Sequence, residues 1–164
     1  QHTHNILSLQ GNIIEHGMSR FFKRTAPGVF DQENIQHEAE KLKQYIEAWC
    51  VDHEQDINNL TFFGYSNGAN MILATMFYYP NVIQKAVLLH PMKPFNPQKI
   101  SLTNHHIFVS GGEQDAMVPT SEQQSLVSLL EKLDATVTTA IYPGGHAISN
   151  QEITDAVSFL LKFR

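Results

Sequence analysis

Two periodicities alternate along this chain of 164 residues. From Thr136 to Tyr142 the side chains alternate and are rich in β-branched residues, which predicts a strand. Leu60–Phe63, Lys85–Leu89 and Ile107–Val109 are short apolar runs, the signature of strands inside a covered sheet. Asn5–Leu9 reads as a further strand. Between these segments the period lengthens. Ile35, Ala39, Leu42, Tyr45, Ile46 and Trp49 recur every third or fourth residue, predicting a helix capped by Asp31 that runs to about Asp52. Ala69 to Phe77 is apolar nearly all round and is stopped by Pro80, so it predicts a helix covered on most sides. Thr120 or Ser121 is placed to cap a helix with Leu126, Leu129, Leu130 and Leu133 on one face. Ser149 and Glu152 form a Ser-x-x-Glu capping box opening a last helix that ends near Phe163. Gly11–Phe30, with Gly17, Pro27 and Gly28, reads as a long loop, and His90–Pro97 as a proline-rich one.

Strand–helix alternation predicts a mostly parallel sheet with right-handed crossovers, an α/β/α sandwich of three layers. No repeat, linker or low-complexity stretch divides the chain, so residues 1–164 form a single domain.

Composition narrows the function. Hydrophobic content of 42% with 16% charged residues suits a soluble globular protein. A net charge of −5 with scattered Lys and Arg gives no basic patch for nucleic acid. No apolar run reaches membrane-spanning length and no signal peptide is visible, so the expected location is the cytoplasm, away from membranes. The single cysteine, Cys50, excludes an internal disulfide and suits a reducing compartment. A homodimer is compatible with the chain.

The chemistry concentrates after three strands. Leu60-Thr-Phe-Phe-Gly-Tyr-Ser66-Asn-Gly-Ala-Asn70 places Gly-x-Ser-x-Gly between a strand and a helix, the context that thrusts a serine out on a tight turn as a nucleophile. A lone Gly-x-Ser-x-Gly is common by chance; here the flanking elements give it weight. A serine hydroxyl needs a base, and the base an orienting acid. Asp115 lies in the loop after the Ile107–Val109 strand, which Gly111 and Gly112 are expected to end. Glu113 competes in the same loop; the shorter side chain of Asp115 would fix an imidazole more tightly. His146 follows Pro143-Gly-Gly, between a strand end and a helix start. The order Ser66, Asp115, His146 is that of a hydrolase triad. This chemistry requires no cofactor or metal. The pairs His2/His4 and His105/His106 lack carboxylate or cysteine partners at ligand spacing, so no metal is expected there. Met18, Phe21, Phe22, Met92 and Met117 either wall an acyl pocket or pack the core. Met92 shares its loop with Phe95, which has the same two readings; Arg20 either steers an anionic group or is a solvated surface residue, and Asn70 is placed to support the serine turn.

Gly64-Tyr-Ser66-Asn-Gly68-Ala, Gly111-Gly-Glu-Gln-Asp115-Ala-Met-Val-Pro119 and Gly144-Gly-His146 resemble the phospholipase/carboxylesterase family of α/β-hydrolases. Leu7-Ser-Leu-Gln-Gly-Asn12 and Glu15-His-Gly-Met-Ser-Arg-Phe-Phe22 resemble its hydroquinone-responsive carboxylesterase subgroup. The resemblance implies an α/β-hydrolase fold lacking its first strands, with Ser66 as nucleophile, His146 as general base and acid, Asp115 as its orienter, and the Asn67 backbone N–H in the oxyanion hole. Family members carry a second oxyanion donor on an early His-Gly-Gly-type loop; no such segment precedes Ser66, so that donor is expected upstream of residue 1. The resemblance implies carboxylic ester hydrolysis, with a small-molecule ester substrate as the expected partner. Thioesterase or lysophospholipase activity with the same triad, or a non-catalytic hydrolase-like binding role, are the alternatives.

Overall fold

The structure is a computed structural model describing residues 6–26 and 28–163. Four parallel strands form the central sheet in sequential order: β5 (Phe62–Tyr65), β6 (Lys85–Leu89), β7 (His106–Gly112) and β8 (Thr136–Tyr142). Helix α2 (Asn67–Tyr78) connects β5 to β6, α3 (Thr120–Lys132) connects β7 to β8, and α4 (Asn150–Leu160) follows β8. The long helix α1 (Gln32–Asp52) precedes the sheet and packs against α2. Its start follows from Asp31, whose side chain accepts the Asn34 backbone N–H at 3.0 Å.

Alternation along the strands divides the core. Ala86, Leu88, Ile107 and Val109 face α1, α2 and α3, joined by Leu73, Met76, Leu126 and Leu130. Val87, Leu89 and Phe108 face the other way, onto Ala156 and Phe159 of α4. The sheet is thus covered on both faces, which explains why β6 and β7 read as unbroken apolar runs. Cys50 is a buried free thiol in the first of these clusters, its pKa raised by burial.

The early segment departs from expectation. Residues 6–9 form no strand and Ile6, Leu7 and Leu9 are exposed, because no described strand lies beside them to pair with. Asn5, the start of the expected strand, lies outside the described residues. Gly11–Phe30 is more than a loop: β1 (Ile13–Glu15) pairs with β2 (Met18–Arg20), and β3 (Arg24–Ala26) with β4 (Val29–Phe30). The β1–β2 turn is His16-Gly17, both at positive φ, as a two-residue hairpin turn requires. Two smaller corrections concern β7 and α3. Gly111 and Gly112 lie within β7 instead of ending it, since parallel pairing with β8 continues to Gly112↔Tyr142. The residue capping α3 is Pro119, which has no side-chain acceptor to offer, so neither Thr120 nor Ser121 caps it.

Candidate active site

The three strands β5, β7 and β8 deliver one polar side chain each at their carboxyl ends, where open parallel sheets place their ligands. Ser66 occupies the turn between β5 and α2 with φ 51° and ψ −115°, a sparsely populated conformation costing roughly 1–3 kcal/mol for a residue with a Cβ. Gly64 makes the tight turn feasible: a Cβ there would sit 2.6 Å from the Ala69 backbone nitrogen. The Ser66 N–H donates to the Leu89 carbonyl at 2.8 Å, tying the turn to the neighbouring strand.

Asp115 follows β7 and is buried, with its Oδ1 accepting the backbone N–H groups of Met117 (2.8 Å) and Val118 (2.9 Å). Its Oδ2 stands 2.7 Å from Nδ1 of His146, which follows β8. Because a carboxylate only accepts, Nδ1 carries the proton, and in the neutral ring Nε2 presents a lone pair. That Nε2 lies 2.9 Å from Ser66 Oγ, positioned to receive the hydroxyl proton. Burial opposes the charge on Asp115, yet the hydrogen bonds from His90, His146, Val118 and Met117 outweigh it and hold the carboxyl at about 2. Glu113, the competing acid, is exposed.

The other residues singled out in the sequence take distinct places. Phe21 donates its backbone N–H to Asn67 Oδ1 at 2.7 Å, and its ring lies beside Gly68, so it borders the serine turn. Phe22 is fully enclosed in a cluster with Phe30, Ile35, Ala39, Met71 and Ala74, which is the packing reading of that residue. Met92 and Phe95 pack partly buried against the same cluster, while Met18 and Met117 are exposed. Asn70 supports a different loop from the one expected: its Oδ1 accepts the Met92 N–H at 2.7 Å. Arg20 is paired with Glu15 at 3.0 Å. His105 is buried and bonds through Nε2 to the Pro80 carbonyl at 2.8 Å, whereas His106 packs its ring on Phe163. His2 and His4 lie outside the described residues.

Sequence reasoning missed three residues of this cluster. Tyr65 donates its hydroxyl to the His146 carbonyl at 2.7 Å and so pins the histidine loop. His90, directly after β6, is buried with Nδ1 2.8 Å from the same Asp115 Oδ2. Glu152, recognised only as half of the capping box, is also buried and lies beside His90 Nε2. The available signal for His90 was its position: it ends the strand adjacent to that of Ser66.

His90, Asp115 and His146 offer ligand atoms within 4.8 Å of one another. Both Nδ1 atoms face one carboxylate oxygen, so protons occupy the positions a metal would need. The spacious hollow of about 820 Å³ lined by Cys50, Ile57, Tyr79 and neighbours shares no residue with this cluster.

A sequence model of the phospholipase/carboxylesterase family matches residues 22–164. The chain is 30% identical over 153 residues to a putative hydrolase, MhqD, of Bacillus subtilis, covering 93% of this chain and 76% of that protein. Among solved structures it resembles the Bacillus cereus carboxylesterase with a TM-score of 0.91 at 34% identity, covering 94% of this chain and 74% of that one. A carboxylesterase from Mesorhizobium loti aligns with a TM-score of 0.87 at 27% identity, covering 93% and 73%. The fold is that of an α/β-hydrolase, and the chain belongs to the phospholipase/carboxylesterase family of hydrolases.

Proposed function

We propose that this chain hydrolyses carboxylic esters through an acyl-enzyme on Ser66. One observation carries the reading: Ser66 Oγ, His146 and Asp115 form an unbroken hydrogen-bonded line with links of 2.9 Å and 2.7 Å. In the first half-reaction His146 Nε2 takes the hydroxyl proton as Ser66 Oγ attacks the ester carbonyl. Asp115 holds the imidazole in its Nδ1–H tautomer and stabilises the imidazolium that forms. We assign the Asn67 backbone N–H, at the start of α2, as a donor to the charge developing on the carbonyl oxygen, where the positive end of the helix dipole adds to it. Collapse of the intermediate expels the alcohol, which leaves with the proton from His146. Water then attacks the acyl-enzyme by the same steps and releases the carboxylic acid.

Phe21, beside Gly68 and held by Asn67, is the side chain we assign to the wall of the acyl site. The test is Ser66→Ala assayed on a short p-nitrophenyl ester. We expect kcat to fall by about 10⁴-fold or more, the scale seen when a triad nucleophile is removed. Retention of most of the activity would show that Ser66 is not the nucleophile. Turnover of thioesters or lysophospholipids in preference to simple esters would redirect the substrate class while keeping the triad.

A further inference from the structure

Asp115 serves two histidines. Its Oδ2 accepts from His146 Nδ1 at 2.7 Å and from His90 Nδ1 at 2.8 Å, so each ring carries a proton on Nδ1. The far side of the His90 ring then decides its charge. His90 Nε2 meets the Glu152 carboxyl, 3.3 Å from Oε1 and 3.4 Å from Oε2. Glu152 Oε1 accepts the Ser110 hydroxyl, and Oε2 accepts the Ser149 backbone N–H at 3.2 Å. Glu152 is thus surrounded by donors and stays ionised, its pKa lowered by His90, Ser110 and Ser149 against the opposing effect of burial. A neutral His90 would aim a lone pair at that carboxylate with both side chains almost wholly excluded from water.

The backbone reinforces this picture. His90 sits at φ 50°, a left-handed conformation uncommon for residues other than glycine, and its N–H is fixed to the Ser110 carbonyl at 2.9 Å. Strain of this kind persists where the surroundings hold it and clusters at functional sites.

We propose that His90 is a positioning residue: a buried imidazolium clamped between Glu152 and Asp115 that fixes the Asp115 carboxylate from behind and sets the lower pH limit of catalysis. The inference rests on the ester-hydrolase reading for its kinetic consequence. Every packed element contributes to the environment of His90: Asp115 from the loop after β7, Ser110 from β7 itself, Glu152 from α4, His146 from the loop after β8 at 5.1 Å between ring centroids, and Tyr65 from β5 at 5.8 Å. Burial works against protonation of His90, but the hydrogen bonds and negative charges of Glu152 and Asp115 outweigh it and raise its pKa above the usual imidazole value.

The positive charge on His90 lies 5.1 Å, centroid to centroid, from the His146 ring and opposes a second positive charge beside it. His90→Asn keeps a donor near the Nδ1 position, tolerates positive φ and removes the charge. In the full-length protein we expect it to move the acidic limb of kcat/KM up by about one pH unit with KM little changed. Glu152→Gln, which removes the counter-charge from the far side, should move the limb in the same direction. Ring-nitrogen NMR of the wild type should show both nitrogens of His90 protonated at neutral pH, a readout independent of turnover. Absence of esterase activity in the wild type would instead sink the hydrolase reading. An unmoved acidic limb in both variants, or a neutral His90 ring at neutral pH, overturns the clamp.

Discussion

Asp115 divides the polar cluster at the strand ends into two halves that differ in access to water. On one side Ser66 and His146 are half-buried, and the His146 loop is held by Tyr65. On the other, His90, Glu152 and Ser110 are shut inside the fold between the sheet and α4. The same carboxylate oxygen faces an imidazole in each direction, yet only the open half can meet a substrate. A proton that must move belongs where solvent and ligand reach it, while a proton that must stay put belongs where neither does. On the proposed reading the buried half is scaffold for the open half, at the expense of holding two carboxylates and one imidazole away from water.

The variant that breaks the comparison most severely is Asp115→Asn, because both halves lose their shared acceptor. By analogy with the same change in serine protease triads, kcat should fall by about 10³–10⁴-fold. A fall of less than tenfold on ester substrate would mean that His146 does not depend on Asp115.

The pH dependence of stability separates the two halves next. The depressed pKa of Asp115, about 2, means that its contribution is present above the ordinary carboxylate range and is lost as pH falls from about 4 towards 2. Glu152, also lowered, adds to the loss on the acid side. The raised pKa of His90 acts with opposite sign: its contribution is complete below the ordinary imidazole value and is lost as pH rises through the folded value. Urea unfolding across pH should show both losses. In Glu152→Gln the alkaline loss should shrink; an unchanged alkaline arm would remove the buried ion pair from the account.

Ser110→Ala touches only the buried half. It strips one donor from the buried Glu152 carboxylate and should cost about 1–3 kcal/mol of stability while changing kcat by less than about threefold. Tyr65→Phe is the matching change in the open half. It frees the His146 loop and should lower kcat about threefold to tenfold, with a stability loss of no more than about 1.5 kcal/mol. If the two variants exchanged effects, the division into working and supporting halves would fail.

Much of the scaffold was legible because single-segment physics decides it. β6 and β8 fall at the expected residues, one as an apolar run and the other through alternation. α1 begins and ends as expected because Asp31 supplies a cap and the apolar stripe has a clean helical period. The positions of Ser66, Asp115 and His146 were recognisable from glycines beside strand ends, a local feature, although Gly111 and Gly112 belong to β7 itself. His90 and Glu152 were not, because what matters about them is burial beside each other across 62 residues of chain. Nothing in a Ser-x-x-Glu box reveals that the glutamate turns inward. The segment 13–30 was misread for a different reason: its hairpins are two or three residues per strand and largely exposed, too short for a period to register. The His16-Gly17 turn was their one local mark, and it lacks the Asn-Gly or Asp-Gly that signals such turns most strongly.

The central claim is that the Ser66 hydroxyl is made nucleophilic by its neighbours. The direct measurement is mass spectrometry of the intact, folded protein after exposure to a fluorophosphonate probe, followed by peptide mapping. A single adduct on Ser66, lost in Ser66→Ala and strongly slowed in Asp115→Asn, is the predicted result. A folded wild-type protein that remains unlabelled, or that is labelled at another residue, would contradict the account.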